Sequence, residues 1–137
     1  MTHTLYAYVD GSDLDDVETL LLGEFQTFAR GRSWSRSTWV VNQRQPSTSP
    51  EKYGDLPNWD LGLNHELPDP GDEVPGWFEE VEAIALFLGA LAEKSGREFV
   101  IGIRDNGTGS ADDLFFVGGL HVDVARLRAI VGVGPIA

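Results

Sequence analysis

Apolar residues recur every three or four positions in two parts of this chain, which is the spacing that places them on one face of an α-helix. The first pattern begins at Leu14, and its apolar residues are Val17, Leu21, Phe25 and Phe28. Ser12 or Asp13 is expected to cap this helix, and Gly31 is expected to end it. Acidic residues in its first turns suit the positive end of the helix dipole.

The second pattern begins at Trp77 and Phe78 and predicts a longer amphipathic helix. Its apolar residues are Val81, Ile84, Ala85, Leu88, Leu91 and Ala92. Ser95 and Gly96 are the kind of residues at which helices end. A short third helix is expected directly after Asp123, which can cap it. Its apolar residues are Val124, Leu127 and Ile130.

Four short segments are rich in β-branched and aromatic residues and predict strands at 5–9, 38–43, 99–103 and 114–117. A polar, glycine-containing run from Asp105 to Asp113 joins the last two. We therefore expect these two strands to pair as an antiparallel hairpin.

The stretch between Pro46 and Pro75 contains six of the seven prolines of the chain. Proline removes a backbone donor and restricts the residue before it, so no long regular element is expected here. The stretch is interpreted as a long proline-rich loop at about 45–75 that covers part of the core, because its leucines and aromatic residues favour order. Loops of this length in a small domain are usually functional or disordered.

These elements follow the order β-α-β-loop-α-β-β-α. The fold class predicted is α+β, with residues 1–137 forming a single domain in which two main helices cover a mostly antiparallel sheet. The core between sheet and helices is expected to contain Val17, Leu21, Phe25, Val81, Ile84, Leu88, Ile101, Ile103 and Phe116.

Charge narrows the classes of function. The 137 residues include 22 acidic and 10 basic ones, which gives a formal net charge of -12. Such a polyanion is repelled by nucleic-acid phosphates and by anionic lipid headgroups, so direct binding to nucleic acid or membrane is not expected. The absence of cysteine excludes disulfides, thiolate catalysis and cysteine-ligated metals. With no signal-like segment and no apolar run of roughly 18 residues, a cytoplasmic location is expected.

No pattern of catalytic or metal-binding residues is recognisable. His3, His65 and His121 are far apart in sequence, and no helix carries two histidines at the spacing of a metal site. The Gly-x-Ser-x-Gly turn of a hydrolase is absent. The acidic run from Asp105 to Asp113 lacks the ligand spacing of a calcium loop. We therefore expect no catalytic residue, no metal, no cofactor and no enzymatic activity.

The distribution of charge indicates a binding face instead. Positions 10–24 contain six acidic residues and no basic one, and positions 51–82 contain ten acidic residues and one lysine. Aromatic residues interleaved with these carboxylates are typical anchors of protein interfaces, and carboxylates steer a cationic partner. The predicted partner-binding residues are Asp13, Asp15, Asp16, Glu18, Trp59, Asp60, Glu66, Asp69, Asp72, Glu73 and Trp77.

The segments 77–88, 99–103 and 112–117, in a small acidic chain without cysteine, resemble in general style the immunity proteins of bacterial toxin systems. The resemblance implies a stoichiometric inhibitor that binds a cognate toxin or another basic protein directly. No residue of a family motif is carried over, and the oligomeric state stays open.

Two alternatives remain. The first is a nucleic-acid mimic that blocks a DNA- or RNA-binding protein, which requires continuous rows of carboxylates on the folded surface. The second is a small enzyme that uses His65 and His121 with nearby carboxylates, which requires these groups to converge in one pocket.

Overall fold

A computed structural model describes residues 3–11, 14–45, 58–68 and 76–131. In these ranges the chain forms five strands and three helices. The strands are β1 (His3–Val9), β2 (Thr38–Gln45), β3 (Asn58–Glu66), β4 (Phe99–Asp105) and β5 (Ala111–Val117). The helices are α1 (Glu18–Arg30), α2 (Trp77–Ser95) and α3 (Val124–Val131).

The strands form one antiparallel sheet in the order β2-β3-β1-β4-β5. This confirms the predicted α+β class, and β4 and β5 pair as the predicted hairpin. β1 is the central strand and is hydrogen-bonded on both sides. After β1, the chain continues through α1 and forms β2 at the edge of the sheet. The next strand, β3, then pairs with both β1 and β2 and lies between them.

The strand β3 corrects the prediction of an irregular loop at about 45–75. It occupies nine residues of that stretch and pairs with both β1 and β2. The prolines do not prevent it, because Pro57 precedes the strand and Pro68 follows it. Of the rest of the predicted loop, residues 46–57 and 69–75 lie outside the described residues.

The helix boundaries agree with the predictions except at the start of α1. This helix begins at Glu18 rather than Leu14, and Val17, which occupies the capping position, makes no side-chain capping bond. The predicted caps Ser12 and Asp13 lie outside the described residues. α2 ends at Gly96, which has a positive φ of 73° that glycine adopts without steric cost. Asp123 caps α3 by accepting a hydrogen bond from the backbone N–H of Arg126 at 3.1 Å.

All three helices pack on one face of the sheet. The main core joins strand residues such as Leu5, Leu63 and Ile101 to residues of every helix, among them Phe25 of α1 and Leu88 of α2. A separate, smaller cluster lies on the opposite face and consists of Tyr6, Tyr8 and Val100, with Val41 packed against it. No residue of a described helix belongs to this second cluster.

Most of the predicted core is buried as expected. The buried members are Leu21, Phe25, Val81, Ile84, Leu88 and Ile101. Val17 and Ile103 are partly buried against the same core. The prediction for Phe116 is wrong: this side chain is 56% exposed, whereas its neighbours Phe115 and Val117 belong to the main core. None of the helices in the described ranges is long and apolar enough to cross a membrane.

Replacing Leu88 by Ala is expected to lower the free energy of unfolding by about 2–5 kcal/mol, because the side chain is fully buried between α2 and the sheet. The matched control is Leu86→Ala on the same helix, where the side chain is 48% exposed and the loss should stay below about 1 kcal/mol. Urea denaturation measures both. Equal losses in the two variants would contradict the orientation of α2.

Candidate binding surface

The sheet face opposite the helices is the most distinctive surface of the described chain, and we call it the open face. The strand registers place on it the side chains of Thr4, Tyr6, Tyr8, Trp39, Val41, Asp60, Asn64, Glu66, Val100, Arg104, Asp113 and Phe116. These residues come from all five strands. The open face therefore depends on the whole sheet being formed.

Two buried tyrosines, Tyr6 at 5% and Tyr8 at 6% exposure, occupy the centre of the open face. The rings of Tyr6 and Tyr8 lie 5.1 Å apart between their centroids. The Tyr6 ring lies over Gly102, where a Cβ atom would be only 2.2 Å from the Tyr6 Cζ atom, so glycine is required there. The Tyr6 hydroxyl donates to Asp113 Oδ1 at 2.5 Å, and the Tyr8 hydroxyl donates to Asn64 Oδ1 at 2.7 Å. Both rings are thereby fixed against the sheet.

A β-bulge brings Asp113 to this position. The register between β4 and β5 shifts after Ile101, which pairs with Phe115, so that Gly102 pairs with Asp113 and Leu114 is the extra residue. Residues two positions apart in a regular strand face the same side. Without the extra residue, Asp113 would therefore lie on the same side as Phe115 and face the helices. The bulge therefore supplies the carboxylate that accepts the Tyr6 hydrogen bond.

Charges surround the two tyrosines. Burial raises the pKa of Tyr6, and the hydrogen bond to Asp113 raises it further, so this hydroxyl remains a donor at neutral pH. Burial also raises the pKa of Tyr8, while the guanidinium of Arg104 opposes the rise. The Arg104 Cζ atom lies 5.8 Å from the centroid of the Tyr6 ring. The centre of the open face is thus a hydrogen-bonded aromatic platform with a cation beside it.

Exposed aromatic residues stand at both margins of this platform. Trp39 on β2 is 44% exposed, and Phe116 on β5 is 56% exposed. Four strand spacings separate β2 from β5, which corresponds to about 19 Å. Asp60 and Glu66, two of the predicted partner-binding residues, lie on β3 within the same face. Two exposed aromatic side chains and two carboxylates therefore share the open face.

The other acidic residues predicted to bind a partner lie elsewhere. Asp15, Asp16 and Glu18 are at the start of α1, beyond the end of β1. Arg97 donates to Asp16 Oδ1 at 2.8 Å, and Asn42 donates to Glu18 Oε2 at 2.9 Å. In this part of the described chain, the carboxylate of Asp16 is therefore paired with a cation, and that of Glu18 with an amide.

The predicted aromatic anchors also separate. Trp77 begins α2, is partly buried, and packs against the main core and Phe78. This position favours a core role for Trp77. Trp59 lies in β3, paired with Arg44. The remaining predicted partner-binding residues lie outside the described ranges and are Asp13, Asp69, Asp72 and Glu73. Sequence reasoning missed Tyr6, Tyr8, Trp39 and Phe116, which only the strand registers assign to one face.

A second cluster of polar groups surrounds His65 inside the fold. His65 is 1% exposed, and its Nδ1 atom lies 2.7 Å from Thr38 Oγ1. Its Nε2 atom lies 3.5 Å from Glu80 Oε1. Glu80 also accepts hydrogen bonds from the backbone N–H of Ser35 at 2.7 Å and the Ser35 hydroxyl at 2.8 Å. The cluster connects β2, β3, the segment before β2, and α2.

The cluster contains a hydroxyl, an imidazole and a carboxylate in line, which are the groups of a nucleophilic catalytic site. Burial lowers the pKa of His65 to about 4, although the carboxylate of Glu80 opposes the shift. The ring is therefore neutral at pH 7, with its proton facing Glu80 and with Nδ1 accepting from Thr38. A ring that is 1% exposed has no surface for a substrate. In the structure, these contacts connect β2 and β3 to α2 in the interior of the fold.

The structure does not bring His65 and His121 together. β3 and β5 are separated in the sheet by β1 and β4, a distance of about 14 Å, and His121 follows β5. Within the described ranges, no group of three His, Asp or Glu side chains could hold a metal ion. Asp105 in the β4–β5 hairpin is engaged in its turn, where it accepts from the backbone N–H of Gly107 at 2.8 Å.

Comparisons with known proteins add no family assignment. No protein-family model matches the chain, and no significant similarity to a curated protein or a solved structure is found. The interpretation of the surface therefore depends on its geometry and charge.

The buried His65 predicts an acid-sensitive fold. The unfolded side chain has its usual pKa near 6.5 and the folded one about 4, so acid favours the unfolded state as pH falls through this window. We expect His65 to contribute a loss of about 3 kcal/mol in the free energy of unfolding between pH 7 and pH 4. Urea denaturation across this range measures the loss in wild type and in His65→Gln.

The variant His65→Gln should lose less stability on acidification than wild type, because it lacks the titrating ring. The control His121→Gln removes an exposed histidine and should keep the pH dependence of wild type. Identical pH profiles for wild type and His65→Gln would contradict a buried, neutral His65.

Proposed function

We propose that this chain is an acidic binding protein that inhibits a basic protein partner, as an immunity protein inhibits its toxin. The observation that carries the proposal is the open face, where Trp39 and Phe116 stand exposed on either side of a fixed tyrosine platform that also bears Asp60 and Glu66. Exposed aromatic side chains act as anchors in interfaces, and carboxylates near them select cationic partners.

Two further features support a binding role. The platform is rigid before any partner arrives, because both tyrosine hydroxyls are already bonded to side chains of neighbouring strands. Preorganisation of this kind reduces the entropic cost of association. The formal net charge of -12 provides long-range attraction to a cationic partner.

The proposed function predicts protection from a toxic neighbour. The test is to co-express the chain with the product of the gene adjacent to its own, in host cells that this product alone kills. Protection by the wild-type chain is expected. An adjacent product that is harmless by itself, or a toxic one that the chain neither binds nor neutralises, would contradict the immunity role.

The open face predicts which variants lose protection. The double substitution Trp39→Ser and Phe116→Ser should weaken binding to that product at least about tenfold, because both anchors are removed. The matched control is Leu86→Ser, which removes a side chain of comparable exposure, 48%, from the helical side of the domain. Circular dichroism confirms that all variants fold. Equal loss in the control, or none in the double variant, would place the interface elsewhere.

Electrostatic steering predicts a salt-dependent association rate. Raising the salt concentration from about 0.1 M to about 1 M shortens the Debye length from about 10 Å to about 3 Å, so association should slow. Dissociation should change much less, because it depends on the buried aromatic contacts. Stopped-flow measurements at several salt concentrations separate the two rates, and a salt-independent association rate would show that charge does not select the partner.

A further inference from the structure

The turn of the β4–β5 hairpin contains an asparagine directly before a glycine, Asn106 and Gly107. Both residues are exposed, so water reaches them. In such a pair the backbone nitrogen of the glycine can attack the side-chain amide carbon of the asparagine, because glycine has no Cβ atom to obstruct the approach. The turn therefore contains a nucleophile and an electrophile in adjacent residues.

The carboxylate of Asp105 contacts the nucleophile. The backbone N–H of Gly107 donates to Asp105 Oδ1 at 2.8 Å. A general base must lie within about 2.6–3.2 Å of the atom whose proton it removes, and this carboxylate meets the requirement. The Asp105 carbonyl also accepts from the N–H of Gly109 at 2.7 Å, which fixes the turn around the carboxylate.

The hydroxyl of Thr4 contacts the electrophile. It donates to Asn106 Oδ1 at 3.1 Å. Thr4 is 6% exposed and belongs to the central strand β1, so the donor is fixed in place before any reaction. A donor at an amide oxygen stabilises the negative charge that develops there when a nucleophile adds to the carbon. The fold thus brings to Asn106 a group that the local sequence does not contain.

We infer that the folded chain promotes the deamidation of its own Asn106. The nitrogen of Gly107 attacks Asn106 Cγ while its proton passes to the Asp105 carboxylate, and the electron pair of the carbonyl moves onto Oδ1, next to the Thr4 hydroxyl. The pair then returns, the Cγ–Nδ2 bond breaks, and ammonia leaves with the proton from Asp105. Solvent water opens the resulting five-membered succinimide at either carbonyl, which yields aspartate or isoaspartate at position 106.

The reaction changes both the charge and the backbone of the hairpin. A neutral amide becomes a carboxylate, in a chain whose formal net charge is already -12. The isoaspartate product also inserts a methylene group into the backbone between β4 and β5. These two strands carry Arg104, Asp113 and Phe116 of the open face. The inference does not use the proposed inhibition, and the purified chain alone suffices to test it.

Comparison of the folded and the unfolded chain tests whether the fold promotes the reaction. The purified chain is incubated at neutral pH with and without guanidinium chloride, and peptide mass spectrometry follows the conversion of amide to carboxylate. Asn106 should react at least about tenfold faster in the folded chain, because only the fold places Thr4 and Asp105 beside it. Asn42 and Asn64, which no glycine follows, are internal controls and should stay intact. Equal or slower conversion of Asn106 in the folded chain would overturn the inference.

The substitution Asp105→Asn tests the base. The amide oxygen of the new side chain can still accept from the Gly107 N–H, so the turn is kept, but it does not take up a proton as a carboxylate does. Conversion of Asn106 should slow at least about tenfold. Its rate should then rise about tenfold per pH unit, because hydroxide replaces the carboxylate as base, whereas the wild-type rate should change less. A folded variant with the wild-type rate and pH profile would show that Asp105 only shapes the turn, and would overturn its role as base.

The substitution Thr4→Val tests the hydrogen-bond donor. Valine is β-branched like threonine but has no hydroxyl, so the bond to Asn106 Oδ1 is lost. Conversion of Asn106 should again slow about tenfold or more. Thr19→Val, at an exposed position of α1, is the matched control and should keep the wild-type rate. Circular dichroism confirms that both variants fold. Equal rates in the wild type and in folded Thr4→Val would overturn the assignment of Thr4.

Discussion

The central strand must be covered on both faces, although the described helices cover only one. β1 is buried from Thr4 to Val9, and the helix-facing residues Leu5, Ala7 and Val9 belong to the main core. On the other face, Thr4, Tyr6 and Tyr8 are buried as well, at 5–6% exposure. Tyr6 and Tyr8 lie against the neighbouring strands instead of projecting into solvent, and this arrangement requires room on the adjacent strand. Gly102 supplies that room for Tyr6.

The same constraint explains the irregularity of β5. A tyrosine hydroxyl that leaves water needs a hydrogen-bond partner, because an unsatisfied buried donor is costly. The bulge at Leu114 turns Asp113 toward Tyr6, and the same shift leaves Phe116 on the open face while Phe115 packs toward the helices. One extra residue therefore satisfies a buried hydroxyl, exposes an aromatic side chain and interrupts the edge of the sheet.

The helices and most strands could be predicted because their patterns are local. Leu21, Phe25, Ile84 and Leu88 repeat at helical spacing, and the structure buries all four. The strand β3 was not predicted, because the prolines on either side of it favour a loop. The alternation of Leu61 and Leu63 with polar or small residues, which is typical of a strand, covers only a few positions. The exposure of Phe116 could not be predicted, since a bulge changes the alternation without any marker in a single sequence.

The candidate site was predicted less well than the fold, for a physical reason. Charge runs such as Asp13 to Glu18 are visible in sequence, but a surface is formed by residues of different strands whose registers are set by long-range pairing. Asp60 and Glu66 were identified from the charge run and lie on the open face. The segment that contains Tyr6 and Tyr8 has the pattern of an ordinary strand, and nothing in it indicates that these residues face away from the described helices.

The position of each polar group decides what it can do, more than its chemical type. Thr38, His65 and Glu80 are the groups of a catalytic triad, yet the imidazole is buried and its pKa of about 4 makes it a weak base. The cluster instead satisfies polar groups where β2, β3 and α2 meet, which is the region that supports both Trp39 and the outer edge of β2. Among the described residues, this cluster connects β2, β3 and α2, and the open face carries exposed aromatic rings and carboxylates. Exposed aromatic rings beside carboxylates are groups by which proteins bind one another, and they are the basis of our proposal that this chain binds a protein partner.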